Sequence, residues 1–154
     1  MFARTIAMLL SLCCLAVAYA HADVTSYEPE SIVRAMQAAG YRAALVKSKS
    51  GRPMIESQAA GSKFNVFFFG CKGEIQCNQI QIWSGFASKI KPTFEQVNKW
   101  NQDKSFTKAM VDKDGDPELA LELWLADPVS DAYFRKMLDL WDSSLGDFKR
   151  DMVH

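Results

Sequence analysis

The residues that could do chemistry are few, and histidine is almost missing. The chain has two histidines, His21 and His154. His21 lies in a stretch expected to be removed, and His154 is the last residue of the sequence, where an imidazole is expected to fray. A Ser-His-Asp or Cys-His mechanism and a histidine-based zinc site therefore have no interior imidazole to build on. Carboxylate, lysine, tyrosine and cysteine chemistry stays open, but eighteen acidic residues do not identify a catalytic pair without geometry. No catalytic residue, cofactor or metal site is assigned on this basis. The acids of Asp112-Lys113-Asp114-Gly115-Asp116 alternate like the start of an EF-hand loop. The glycine comes fourth where that loop needs it sixth, and the twelfth position is Leu123 instead of glutamate. A solvated hairpin turn is the expectation.

Four cysteines divide into two pairs. Cys13 and Cys14 lie in the apolar segment at residues 6–18, which follows a positive start at Arg4 and precedes Ala20-His21-Ala22. That order is the pattern of a secretory signal peptide over residues 1–22, with Asp23 beginning the mature chain. The apolar run is short for a membrane span of about 20 residues, so no stable span is expected after cleavage. The expected location is exported, periplasmic or secreted. Cys71 and Cys77 survive cleavage, and in an oxidising compartment such a pair reads as a disulfide. Closing so short a loop is worth about 2 kcal/mol in the loop-closure model. A redox role fits less well, because the spacing is not C-x-x-C and no helix begins after Cys71. The bridge would stiffen the tip Lys72-Gly73-Glu74.

Without residues 1–22 the chain keeps 132 of its 154 residues, enough for one domain with a core, over residues 23–154. Basic and acidic residues then number 17 and 18, and so balanced a chain carries no broad electrostatic footprint for nucleic acid. The charge is uneven: residues 23–109 hold 12 basic and 7 acidic side chains, residues 110–154 hold 5 and 11.

The elements that must position these residues follow from periodicity. Residues 23–27 read as a loose lead-in. Glu28-Pro29-Glu30 starts a helix with Ile32, Val33, Met36 and Ala39 on its apolar face, and Gly40 stops it. Strands are expected at 41–49, 54–60, 64–69 and 78–86. The near-continuous apolar run at 64–69 suits a strand covered on both sides. Lys91-Pro92-Thr93 opens a second helix with Phe94, Val97 and Trp100 on its buried edge. A strand at 106–111 leads through Asp114-Gly115 into Leu119, Leu121, Leu123 and Leu125, which alternate onto one face. The last helix, from about 130 to about 151, carries Phe134, Leu138, Trp141, Leu145, Phe148 and Met152 at spacings of four and three. Tyr133, Met137 and Leu140 widen that stripe, and Gly146 interrupts it. Trp83 and Trp124 sit opposite the regular apolar face of their strands. The favoured expectation is that helices cover that face too; the sharper one is an aromatic platform for a protein partner. The fold class is α+β: one domain, a mainly antiparallel sheet of about six strands and three flanking helices.

The segment Cys71-Lys72-Gly73-Glu74-Ile75-Gln76-Cys77-Asn78-Gln79-Ile80-Gln81-Ile82-Trp83-Ser84-Gly85-Phe86 resembles the cysteine loop and strand of exported YbjN-domain proteins. Asn98-Lys99-Trp100-Asn101 before Phe106 is similar to their helix end, and residues 112–119 to their acidic hairpin turn. A long terminal helix with an interior tryptophan, here Trp141, also fits, and the resemblance covers nearly all of residues 28–150. It implies a fold like the type III secretion chaperones, often dimeric, and no established reaction. Trp124 departs from the pattern, which has a polar residue there.

The function expected from these readings is a non-enzymatic exported module that binds a protein or acts like a chaperone, with a homodimer as one assembly. Its contact residues would be Trp83, Trp124, Tyr133, Met137 and Leu140. The alternative is an enzyme inhibitor presenting the clipped loop 71–77. A hydrolase with paired carboxylates is a third reading.

Overall fold

The computed structural model describes residues 23–153. The expected signal segment and His154 lie outside them. Six strands form one antiparallel sheet in the spatial order Ala44–Lys47, Pro53–Ala59, Ser62–Phe69, Gln79–Gly85, Pro117–Trp124, Lys108–Val111, and two short strands, Asp23–Val24 and Val129–Ser130, form a separate pair. In chain order the elements are β1 (Asp23–Val24), α1 (Pro29–Ala38), β2 (Ala44–Lys47), β3 (Pro53–Ala59), β4 (Ser62–Phe69), β5 (Gln79–Gly85), α2 (Phe94–Asp103), β6 (Lys108–Val111), β7 (Pro117–Trp124), β8 (Val129–Ser130) and α3 (Asp131–Met152). The α+β class, the six-strand sheet and the three helices agree with the sequence reading.

The lead-in at 23–27 is not loose. Val24 is buried, and β1 pairs with β8. Ser26 donates its hydroxyl to the Cys77 carbonyl at 2.6 Å, and Thr25 donates to the Leu125 carbonyl at 2.9 Å. Local periodicity could not show this, because the partners are about 50 and 100 residues away in sequence.

Register decides which strand residues reach the core. Ile55, Val66, Ile82 and Leu121 lie in one cross-strand row, and Phe68, Ile80 and Leu123 in the next. All seven are buried, on the face that α1 and α3 cover. The α3 stripe of Phe134, Leu138, Trp141, Leu145, Phe148 and Met152 is buried throughout. Trp141 meets Phe64 edge-on with ring centres 5.6 Å apart, a favourable geometry for the ring quadrupoles. The helix starts where Ser130 accepts from the Tyr133 N–H, and it places Lys149 and Arg150 at its negative end. Gly40 adopts a positive φ of 92° just past α1, which is the expected left-handed stop.

Two sequence expectations fail, one in the sheet and one on α2. The run at 64–69 is not covered on both sides: Phe64, Val66 and Phe68 are buried, while Phe67 is half-buried and Phe69 exposed. Composition cannot separate a fully buried strand from one whose outer face is simply apolar. Phe94 is 80% exposed instead of buried, because α2 is anchored at its other end. There the Trp100 ring meets Phe148 at 5.3 Å and Lys104 pairs with Asp147 at 2.7 Å. Thr93 and Gln96 close the first turn as a reciprocal capping box.

The two sheet edges differ. On β6 the Asn101 side chain both accepts from the Ala109 N–H at 2.8 Å and donates to its carbonyl at 3.1 Å. One amide thus occupies the backbone groups a neighbouring strand would use. At the other edge β2 has only four residues, and Ala44, Leu45 and Lys47 are exposed.

Candidate functional site

Pleating sends every second residue of β3, β4, β5 and β7 away from the helices. On that face Trp124 aligns with Gln79 and Phe69 in one row, and Glu122 with Gln81, Phe67 and Met54 in the next. Trp83 stands between Ala120 and Asn65 in a third. No helix covers these side chains among the described residues, so the expectation that helices mask Trp83 and Trp124 is corrected. Trp124 is 63% exposed and Phe69 37%, while Trp83, Phe67 and Met54 are half-buried.

Trp83 is held in place. Its ring lies 6.0 Å from that of Phe67, and it also covers Gly85, where an added Cβ would come within 2.7 Å of the indole. Gly85 is therefore glycine for want of space. Beneath this layer Ala120 is buried although it belongs to the outer face. Trp124 has no comparable neighbour among the described aromatic pairs and stands more freely.

The five candidate contact residues do not gather into one patch. Trp83 and Trp124 are on the outer sheet face, whereas Tyr133, Met137 and Leu140 are on α3. Met137 and Leu140 pack against the margin of the core, and Tyr133 remains 46% exposed. Sequence spacing placed all three on a widened stripe, but the core takes up two of them. The outer-face residues that sequence reasoning missed are Phe67, Phe69 and Met54. The signal was present in the strand pairing of 54–60 with 64–69, once the run at 64–69 is read as two-faced.

Cys71 and Cys77 form a disulfide. The enclosed tip is exposed at Lys72, Gly73 and Glu74, and Cys77 itself is buried. Gly73 and Gln76 take positive φ values of 69° and 54°, and Lys72 bridges Ile75 across the turn. The tip does not stand clear of the fold. Glu74 approaches Lys47 at 3.8 Å, and its carboxylate lies where a side chain on Gly51 would go. The loop thus leans on the β2–β3 turn.

The acidic turn uses its carboxylates internally. One Asp112 oxygen accepts from the N–H groups of both Asp114 and Asp116 at 2.8 Å, closing the hairpin. Asp116 accepts from the Ser88 N–H and pairs with Lys91, whose hydrogen bond holds the Asp116 carboxyl below its usual value. Asp114 pairs with Lys113 at 2.8 Å. Among the described residues no group of three or more histidine, cysteine, aspartate or glutamate side chains is gathered for a metal ion. Hydrogen bonds from Lys104 and then Arg150 likewise lower Asp147. Burial, then Asp142 and Asp139, raise the Tyr41 hydroxyl to about 12 while it donates to the Leu138 carbonyl at 3.2 Å. None of these shifts produces two carboxylates facing one cleft with separated pKa values.

Among the described residues no helix is long and apolar enough to cross a membrane. No match to the chain was found among curated proteins or among solved structures. A protein-family comparison does match, over residues 28–153, which takes in α1, the whole six-stranded sheet, α2 and α3. On that match the chain belongs to the YbjN family, described as "Putative bacterial sensory transduction regulator".

Proposed function

We propose that this chain is an exported, non-enzymatic binding module that contacts a protein partner through the uncovered face of its sheet. One observation carries the reading: five large apolar side chains, Met54, Phe67, Phe69, Trp83 and Trp124, share a face on which no described helix packs. Apolar surface grouped in this way is the usual mark of an interaction site, and aromatic anchors supply most of the energy at such sites. The regulator description of the family supports a binding role over a catalytic one. Export rests on the sequence pattern of residues 1–22 and is in keeping with the Cys71–Cys77 disulfide.

The test is capture from the exported fraction with the parent protein and with the double variant Phe69→Asp/Trp124→Asp. Both sites are exposed, so the variant should melt like the parent. A protein retained by the parent and lost by the variant supports the reading. Equal retention by both, or retention by neither, refutes it.

A further inference from the structure

One end of the uncovered face is a groove with a particular chemistry. The β2–β3 turn overhangs it, and the groove has a volume of about 470 Å³. Its apolar floor is Met54, Phe67 and Phe69, with Met54 and Phe67 directly paired across the strands. Its rim is cationic: Lys47, Lys49 and Arg52 all line it. Lys47 has Glu74 at 3.8 Å, whereas Lys49 and Arg52 have no carboxylate within 4.0 Å among the described residues. Arg52 only donates to the Ser50 hydroxyl at 3.3 Å. Two acids lie near the rim: Glu74 of the disulfide loop, whose carboxylate rests against Gly51 of the same turn and pairs with Lys47, and Glu56, two residues beyond Met54 on the same face of β3 and away from the turn. Three cations against the single carboxylate of Glu74 leave the rim net positive, and cations beside an aromatic floor are complementary to a carboxylate next to a large apolar side chain.

We propose that this groove takes an acidic segment of a partner protein, with an apolar side chain seated on Met54, Phe67 and Phe69 and neighbouring carboxylates on Lys49 and Arg52. The inference rests on the open-face reading above and adds the chemical class of the partner. The floor selects against purely acidic chains, since carboxylates alone leave the aromatic rings exposed. The rim selects against basic chains by like-charge repulsion.

The test uses the exported protein and three short labelled peptides of one length in a glycine–serine background. The first carries glutamates beside leucines, the second has serines for the leucines, and the third has lysines for the glutamates. Fluorescence anisotropy should show the first peptide binding about tenfold tighter than either control, with affinity falling as salt is raised. Lys49→Glu/Arg52→Glu should weaken it by roughly tenfold, since the exposed Lys49 and the half-buried Arg52 both reverse their charge. Amide shifts in a titration should fall on Met54, Phe67 and Phe69. Equal binding of the lysine peptide, an unchanged affinity in the charge-reversed variant, or shifts confined to α3 would each overturn the acidic class. So would binding of a second copy of this chain on the groove, seen by sedimentation equilibrium, in place of the peptide. These results leave the capture experiment with Phe69→Asp/Trp124→Asp intact, so failure of the groove chemistry and failure of the open-face reading are told apart.

Discussion

The inner and outer faces of the six-stranded sheet are built from the same strands, yet they obey different rules. Inner residues such as Ile55, Val66, Ile82 and Leu121 are fully buried under α1 and α3. Outer residues mix Glu56, Asn65, Gln79, Gln81 and Glu122 with Met54, Phe67, Phe69, Trp83 and Trp124. The inner face is close-packed, so each side chain there contributes to stability. On the outer face Trp124 adds little to folding, because much of its surface stays in water. Its apolar area is available for something else. The difference also explains why tryptophan appears in both places with opposite consequences.

Trp141→Ala is the sharpest way to break this comparison. Trp141 is fully buried against Phe64, and truncation is expected to cost about 3–5 kcal/mol, read from a urea denaturation midpoint. Trp124→Ala should leave the midpoint within about 0.5 kcal/mol of the parent, as for other exposed substitutions. If Trp124→Ala cost as much as Trp141→Ala, the outer face would be structural and its availability for a partner would be lost.

Reduction of Cys71–Cys77 comes next. The bond closes the loop between β4 and β5 with Cys77 in the core, and its loss should destabilise the domain by about 2 kcal/mol in the loop-closure model. Denaturation with and without reductant measures this, and intact mass should show two hydrogens fewer before reduction. Since Glu74 leans toward Lys47, the reduced protein should also show changed amide shifts in the β2–β3 turn.

The two edges refine the contrast. Asn101→Ala removes two part-buried side-chain bonds to Ala109 and should cost about 1–2 kcal/mol, at a net worth near 1 kcal/mol for each bond. It should also speed amide exchange along β6 while leaving β2 unchanged. Gly146→Ala on α3 should act in the opposite direction. An added Cβ meets only the Ala60 Cβ at 3.9 Å, an ordinary contact, so helix propensity should stabilise the protein by about 0.5–1 kcal/mol. A lower melting temperature would show that α3 sits closer to the β3–β4 turn than this geometry allows.

The smallest effect is electrostatic. Lys104 and Arg150 hold the Asp147 carboxyl below its unfolded value. A carboxyl lowered on folding contributes stability that is present above the unfolded value, roughly pH 4, and is lost as pH falls through the folded value. The melting-temperature gap between the parent and Asp147→Asn should therefore be open at neutral pH and close on acidification. Tyr41 works at the alkaline end with the other sign. Its hydroxyl is raised to about 12, so its contribution is complete below the unfolded value, about pH 10, and declines as pH rises toward the folded one. Tyr41→Phe should flatten that alkaline slope.

The primary structure by itself determined the parts that depend on neighbours in sequence. Leucines alternating at 119–125 had to be a one-faced strand, and the fours and threes from Phe134 to Met152 had to be one helical stripe, because pleat and helix pitch are local geometry. Gly40 and Ser130 marked helix ends for the same reason, and the cysteine pair marked its own loop. The tertiary structure alone decided the rest. It anchored Val24 to β8 and set Asn101 on the β6 edge. It drew Met137 and Leu140 into the core margin, leaned Glu74 on the β2–β3 turn, and left Trp124 and Phe69 in water. Each of these depends on which element lies against which, and alternation along a strand carries only that its two faces differ. Whether the second face is covered depends on where the helices pack, and here all the long-range apolar surface of α1 and α3 was spent on one side.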